Sequence, residues 1–270
     1  MMPELPEVEN IVSCIRNILV NRIILYTIIK NDRLRWCIPF EIKQLFNVRV
    51  FNVYRRGKYI ILKLYSGYII IHLGMTGVFS LLFNKLNFGK HDCLDLILDN
   101  NMIIRYSDCR KFGFWLWFNK EDKNFFLDKL GPEPLSENFN CNYLYNLTRL
   151  RKISIKSFLM NSKFVAGIGN IYANESLFQS GIIPTRLSMN INFNECVNLV
   201  NSIKKILSIA IKHNGTTIKN FKQINGKLGE FSKYLKVYGR KNKLCKKCNN
   251  LLIYIRQNQR SSFFCKFCQS

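Results

Sequence analysis

Apolar positions change period twice along this chain. Between residues 7 and 19, Val8, Ile11, Val12, Ile15, Ile18 and Leu19 recur at helical spacing, so an amphipathic helix follows the leader Pro3-Glu4-Leu5-Pro6-Glu7. From about residue 22 to 118 the apolar runs become short and rich in β-branched and aromatic residues. Tyr59–Tyr65 and Tyr68–Leu73 flank Ser66-Gly67, which predicts a hairpin. Further strands are expected near Leu94–Leu98, Met102–Tyr106 and Phe114–Phe118. This half reads as a β-sandwich or barrel with one leading helix.

Gly131-Pro132-Glu133-Pro134 then interrupts any regular element, because proline continues neither helix nor ladder. Beyond it the period is helical. Ser154 is placed to cap a helix through Ile155–Met160, and Asn170 to cap a second one ending at Gly181. Asn192 with Glu195 three residues later is a capping pair ahead of Val197, Val200, Ile203, Ile206, Leu207 and Ile211. His213-Asn214-Gly215 ends that helix, with glycine free to take positive φ. Residues 216–236, rich in Gly and Lys, read as a mobile loop. The expected architecture is α+β in three parts: 1–130, 131–236 and a small terminal unit at 237–270.

Composition narrows the function. The 270 residues are 48% hydrophobic and 13% aromatic, enough to build cores and too apolar for disorder. The longest apolar tract, Tyr59 to Phe83, is broken by Lys63, Ser66, Gly67, His72 and Gly74, so no membrane span is expected. The leader carries Glu4, Glu7 and Glu9 before any basic residue, the reverse of a secretory signal, and a cytoplasmic location is expected. Lysine and arginine number 41 against 17 acids, a formal charge of +24. Such an excess repels itself and favours a polyanion, most simply nucleic acid.

Ten cysteines without a secretory signal point to thiols or metal rather than disulfides. Cys14, Cys37, Cys93, Cys109, Cys141 and Cys196 are scattered. Cys245-x2-Cys248 and Cys265-x2-Cys268, sixteen residues apart, are not: two knuckles joined by a hairpin supply the four thiolates of a closed tetrahedral zinc site. One structural Zn2+ is expected, substituting for the core that so short a segment lacks. Lys246, Lys247, Arg256 and Arg260 would ride on that hairpin, aimed at a nucleic-acid backbone or groove.

The leader has its own chemistry. A terminal proline nitrogen is a secondary amine that can attack a sugar aldehyde carbon to give an iminium ion, and neighbouring carboxylates can move protons. Taken with PELPEVE, the segments RRGKY (55–59), HLGMTG (72–77), KHDC (90–93), DCRKFG (108–113), LGPEPL (130–135), GIGNIYANE (167–175), NGTTIKNF (214–221), VYGR (237–240) and QR-SSFFC-x2-C (259–268) occur in order. Over its whole length the chain resembles the bacterial formamidopyrimidine-DNA glycosylases, which excise 8-oxoguanine and ring-opened purines.

That resemblance implies a catalytic β-sandwich at 1–130, a helix–two-turn–helix DNA-binding domain at 131–236 and a zinc finger at 237–270. It implies a monomer acting on damaged double-stranded DNA by a Schiff base, with β,δ-elimination at the abasic site. Pro3 matches the nucleophile, Glu4 the proton donor, Lys58 the lysine of β-elimination and Arg260 the finger arginine of δ-elimination. Met75, Arg110 and Phe112 match the wedge that fills the gap left by the extruded base; by pattern alone Met75 and Phe112 are ordinary core residues, but Gly74, Gly77 and Gly113 around them favour loop tips. His72, His91, Lys152 and Asn170 match phosphate-binding positions, and Thr216, Thr217 and Lys219 open a segment that closes over the base. Glu7 reads as a second carboxylate or as a stabiliser of the helix N-terminus.

Departures from the family pattern sharpen the expectations. Met1-Met2 precedes Pro3 where one methionine is usual, so Pro3 gains a free nitrogen only if synthesis starts at Met2. Cys109 stands in place of a proline, Lys111 in place of an arginine and Asn249 in place of a glycine. Two other readings remain open: an endonuclease VIII-like glycosylase for oxidised pyrimidines, which Leu5 and the complete Met75/Arg110/Phe112 set oppose, and a non-catalytic damage binder if Pro3 is blocked.

Overall fold

The computed structural model describes residues 2–84, 87–122, 125–216 and 229–270, with the side chains of 125 and 126 left aside. The chain gathers into two compact units, one formed by Met1–Phe125 with Asn214–Glu230 and the other by Phe126–His213 with Phe231–Ser270.

In the first unit, helix α1 (Leu5–Leu19) begins with Pro6 in its first turn, where a missing N–H costs nothing, and with Glu7 accepting from the Glu4 backbone N–H at 3.0 Å. Its apolar stripe, Val8, Ile11, Val12, Ile15 and Leu19, is buried to 2% exposure or less. The strands follow as β1 (Ile23–Ile29), β2 (Phe46–Arg56), β3 (Tyr59–Leu64), β4 (Gly67–His72), β5 (Gly77–Leu82), β6 (Asp92–Leu98), β7 (Ile103–Asp108) and β8 (Phe114–Asn119), with a single-turn helix α2 (Phe40–Lys43) before β2. All pairings are antiparallel, in the order β5-β7-β6-β1-β2-β3-β4-β8.

The long strand β2 pairs with β1 at one end and β3 at the other, with a register break between Val50 and Asn52. That break lets the sheet turn on itself into a sandwich. Leu94, Leu96 and Ile104 from one half then pack in one core with Ile60, Ile69, Ile71 and Trp115 from the other. The expected hairpin is present, with Lys63 opposite Tyr68.

The second unit holds α3 (Phe125–Asp128, at its boundary), α4 (Cys141–Arg149), α5 (Ile155–Leu159), α6 (Asn170–Ser180), α7 (Phe193–Lys212) and a hairpin of β9 (Ile253–Gln257) and β10 (Arg260–Phe264). Ser154 caps α5, and Asn192 and Glu195 close a reciprocal capping box on α7. Gly181 ends α6 in the left-handed conformation. One expectation shifts by a residue: Gly169, extended at φ −126°, is the cap of α6, so Asn170 is its first helical residue. Helix α4 was not anticipated; its cap is Asn140, whose side chain accepts from Tyr143 N–H. No helix is long and apolar enough to cross a membrane among the described residues.

Candidate DNA-repair site

In the first unit three of the candidates, His72, Met75 and Phe112, line one cavity of about 630 Å³ together with Met2, Leu34, Arg35, Gly74 and Lys111. Pro3 and Glu4, which follow Met2 in the chain, are buried at the start of α1, with Glu4 2% exposed. Glu7 is 1% exposed and ties the leader to a distant segment: one carboxylate oxygen accepts from Glu4 N–H, the other from the backbone N–H and hydroxyl of Thr216 at 2.8 and 3.0 Å. Thr217 and Lys219 lie outside the described residues, as does most of the 216–236 loop.

Lys58 sits in the β2–β3 turn, which Gly57 permits at φ +58°. The guanidinium of Arg55 fastens that turn to α1, donating to Glu9 at 2.6 Å and to the Gly57 carbonyl at 3.0 Å. Helix α1 and the Lys58 turn are thus held as one piece.

His72 ends β4, stacked on Phe114 at 5.2 Å and against Tyr59 at the same distance. Its Nδ1 accepts from Gly74 N–H at 3.1 Å, so the proton lies on Nε2, available to donate. Burial, followed by the nearby charges of Lys58 and Arg35, lowers its pKa to about 4. At neutral pH the ring is therefore uncharged, with its proton on Nε2.

Met75, Arg110 and Phe112 stand together at loop tips. The Arg110 guanidinium donates to Met75 Sδ at 3.3 Å and lies 4.6 Å from the centre of the Phe112 ring, which is 45% exposed. At Gly74, at φ +58°, a Cβ would come within 2.5 Å of the Phe112–Gly113 backbone, so the two loops touch main chain to main chain. His91 is exposed just before β6, its carbonyl accepting from Asp108 N–H at 2.9 Å.

The second unit carries the remaining candidates. Arg260 is exposed at the tip of the β9–β10 hairpin and lines a cavity of about 190 Å³ with Lys156, Ser157, Met160, Asn161, Gln257 and Asn258. Asn258 and Gln259 take positive φ, the backbone of a tight turn between twisted strands. Lys156, 2% exposed, donates to the Ser261 carbonyl at 2.6 Å and the Ser262 hydroxyl at 2.7 Å, bracing the strand beside Arg260.

Asn174, 1% exposed, accepts from Phe263 N–H at 2.8 Å and donates to the Asn170 carbonyl at 2.6 Å. It joins the first turn of α6 to the hairpin. Asn170 is half-buried and Lys152 exposed. Residue type gives no sign of what Lys156 and Asn174 do, although Asn174 lies within GIGNIYANE, because their bonds reach residues far away in the sequence.

The four expected ligands, Cys245, Cys248, Cys265 and Cys268, bring their sulfurs within 4.8 Å of one another, and none is in a disulfide. Tetrahedral zinc with four thiolates at about 2.3 Å needs sulfurs roughly 3.8 Å apart, and Cys248–Cys265 and Cys245–Cys268 stand at 3.4 and 4.0 Å. Lys247 N–H points at Cys245 Sγ and the Asn250 amide at Cys248 Sγ, donors that suit anionic sulfur. Asn249 takes φ +58°, which explains how it stands where glycine is usual.

Comparison with known proteins agrees with this arrangement. A family model for the formamidopyrimidine-DNA glycosylase N-terminal domain matches residues 2–115, and one for the H2TH domain of the same family matches 130–222. The formamidopyrimidine-DNA glycosylase of Proteus mirabilis is 46% identical over 268 residues, covering 99% of this chain and 98% of that protein. The protein of that name from Baumannia cicadellinicola is 46% identical over 269 residues, the full length of both. Among solved structures, Lactococcus lactis Fpg in complex with abasic-site DNA superposes with a TM-score of 0.91 at 30% identity, covering 98% of this chain and 99% of that one. The MutM (Fpg) protein of Thermus thermophilus gives 0.88 at 28% identity, covering 99% and 98%. With both family models matched and relatives 46% identical over the full length, the chain belongs to the formamidopyrimidine-DNA glycosylase family of DNA-repair enzymes.

Proposed function

We propose that this protein removes oxidised purines, 8-oxoguanine and formamidopyrimidines, from duplex DNA and then nicks the abasic strand. The observation that carries the reading is the common cavity at the N-terminal leader, around which Met2, the neutral donor His72 and the wedge residues Met75 and Phe112 converge.

In this reading Pro3, once its nitrogen is free, attacks C1′ of the damaged nucleotide; the bond to the base breaks and an iminium ion forms. Glu4 donates the proton that opens the sugar. Lys58, held against α1 by Arg55, takes the proton whose loss drives β-elimination. Arg260 holds the flanking phosphate and assists δ-elimination, the two eliminations releasing the strand ends. His72, His91, Lys152 and Asn170 contact phosphates, His72 through Nε2–H and Asn170 at the first turn of α6. Met75 and Phe112 fill the emptied step and Arg110 bonds to the orphaned base. Cys245, Cys248, Cys265 and Cys268 would hold one Zn2+, which supplies the fold of the Arg260 hairpin and no chemistry. The partner is damaged double-stranded DNA, the protein acts as a monomer, and its place is the bacterial cytoplasm.

The test is borohydride trapping on duplexes containing 8-oxoguanine or thymine glycol, with the mass of the mature N-terminus measured on the same sample. A covalent adduct formed with 8-oxoguanine by protein beginning at Pro3 is expected. A preference for thymine glycol would favour the pyrimidine-specific reading, and active enzyme retaining Met2 would falsify the assignment to Pro3.

A further inference from the structure

Asp108, the last residue of β7, is 1% exposed and opens towards both wedge loops. One of its carboxylate oxygens accepts from the Thr76 hydroxyl at 2.5 Å and from Arg110 N–H at 3.2 Å. The other accepts from Gly113 N–H at 2.7 Å and from the Tyr106 hydroxyl at 3.4 Å. These donors are adjacent to, or part of, each wedge residue: Thr76 follows Met75, Arg110 is itself one of them, and Gly113 follows Phe112.

Between the two gripped positions the chain passes through Lys111 at φ +55°, a conformation that a lysine keeps only when its flanks are held. A Cβ on Gly113 would lie 2.0 Å from the Tyr106 oxygen and 2.9 Å from the Asp108 carboxylate, so the loop is seated directly on this group.

We propose that Asp108 is a positioning residue: it locks the Met75 loop to the Arg110–Phe112 loop, so that the three side chains enter the helix as one rigid unit. The proposal rests on the wedge reading above. Asp108 itself is buried and reaches neither DNA nor the reacting sugar. Its contribution therefore belongs to base extrusion and to reading the orphaned base, and not to bond breaking at C1′.

Asp108→Asn keeps the shape but turns one acceptor oxygen into an NH2 group, which then faces Gly113 N–H or Arg110 N–H donor to donor. Thr76→Val, without changing side-chain size, removes the hydroxyl that donates to Asp108 and accepts from Arg110 N–H at 3.2 Å, and leaves the carboxylate's own bonds to Arg110 and Gly113 in place. Each variant is compared with the native enzyme on an 8-oxoguanine duplex, with cytosine or adenine opposite, and on an abasic site in a single strand. A single strand offers no stack to open.

For Asp108→Asn, duplex excision is expected to fall about 10- to 100-fold, the loss that misplacing a remote positioning group produces. The preference for cytosine opposite the lesion narrows, while single-strand abasic cleavage stays within about twofold of native. Thr76→Val shows the same pattern more weakly, and decides the question alone if Asp108→Asn does not fold. Parallel loss on both substrates in both variants would mark Asp108 as merely structural and overturn the proposal, as would unchanged duplex excision. Phe112→Ala and Arg110→Ala separate the two layers. If they lose duplex excision while Asp108→Asn does not, the lock is wrong and the wedge stands. If none of the four variants affects duplex excision, the wedge reading fails with it.

Discussion

The imidazole of His72 owes its state to its setting. With Phe114 and Tyr59 against its ring and two cations near, it protonates at about pH 4 rather than near its ordinary 6.5, burial being the larger cause. The unfolded chain takes up that proton first, so the associated stability is full above about pH 6.5 and is lost as pH falls towards 4. An NMR titration of the folded protein is expected to place the His72 midpoint near 4. His72→Asn, whose carbonyl can still accept from Gly74 N–H, is expected to flatten the stability–pH curve across that window. Glu7 offers a second check. Its oxygens accept from Glu4 and from Thr216, and Glu7→Gln would turn an amide NH2 against one of those donors. A loss of about 1–3 kcal/mol in chemical denaturation is expected, typical of a buried group left without its partner.

Elements were legible where their ends carry local chemistry. The Asn192–Glu195 box, the Ser154 cap and the left-handed Gly181 were all readable because each rests on contacts within four residues. Helix α4 was not: it is short, its cap Asn140 lacks an acidic partner three residues on, and only Leu144 and Thr148 are buried. The start of α6 was read one residue late because Asn170 looks like a cap, while Gly169 takes the extended backbone that a cap requires. At this scale Asn174 is the informative position, since it serves α6 and β10 together. Asn174→Ala leaves Phe263 N–H buried without its acceptor, and urea denaturation is expected to register a loss of about 1–3 kcal/mol. If Cys245, Cys248, Cys265 and Cys268 hold a zinc ion as proposed, a chelator is expected to raise hydrogen exchange across Ile253–Phe264 and to weaken DNA binding, because the four thiolates would be the main anchor of this short hairpin.

For the molecule as a whole, motif positions name candidates for the site's chemistry but not the means by which they are held. Only the cysteines could be found by residue type and spacing; the readings of the leader and of Met75, Arg110 and Phe112 came with the family resemblance. The supports Glu7–Thr216, Asp108–Thr76 and Lys156–Ser261 span 209, 32 and 105 positions, distances over which sequence pattern carries no information. Charge acts at this largest scale. With a formal +24, DNA affinity is expected to fall steeply with salt, by a factor of about 10³ or more between 50 and 200 mM if six or more phosphates are neutralised. A fluorescence-anisotropy titration across that range measures the slope, and a shallow one would count against extensive phosphate contact.

The tie between Glu7 and Thr216 also bears on biosynthesis. A ribosome adding about 5–20 residues each second delivers Glu7 about 10–40 s before the threonine that it grips, 209 positions later. During that interval the nascent sandwich must manage without these two donors on a carboxylate destined for the interior. This contact to the N-terminal leader therefore arrives when most of the polypeptide has already been made, and a truncated product lacking residues beyond 215 would emerge without the two Thr216 donors on Glu7.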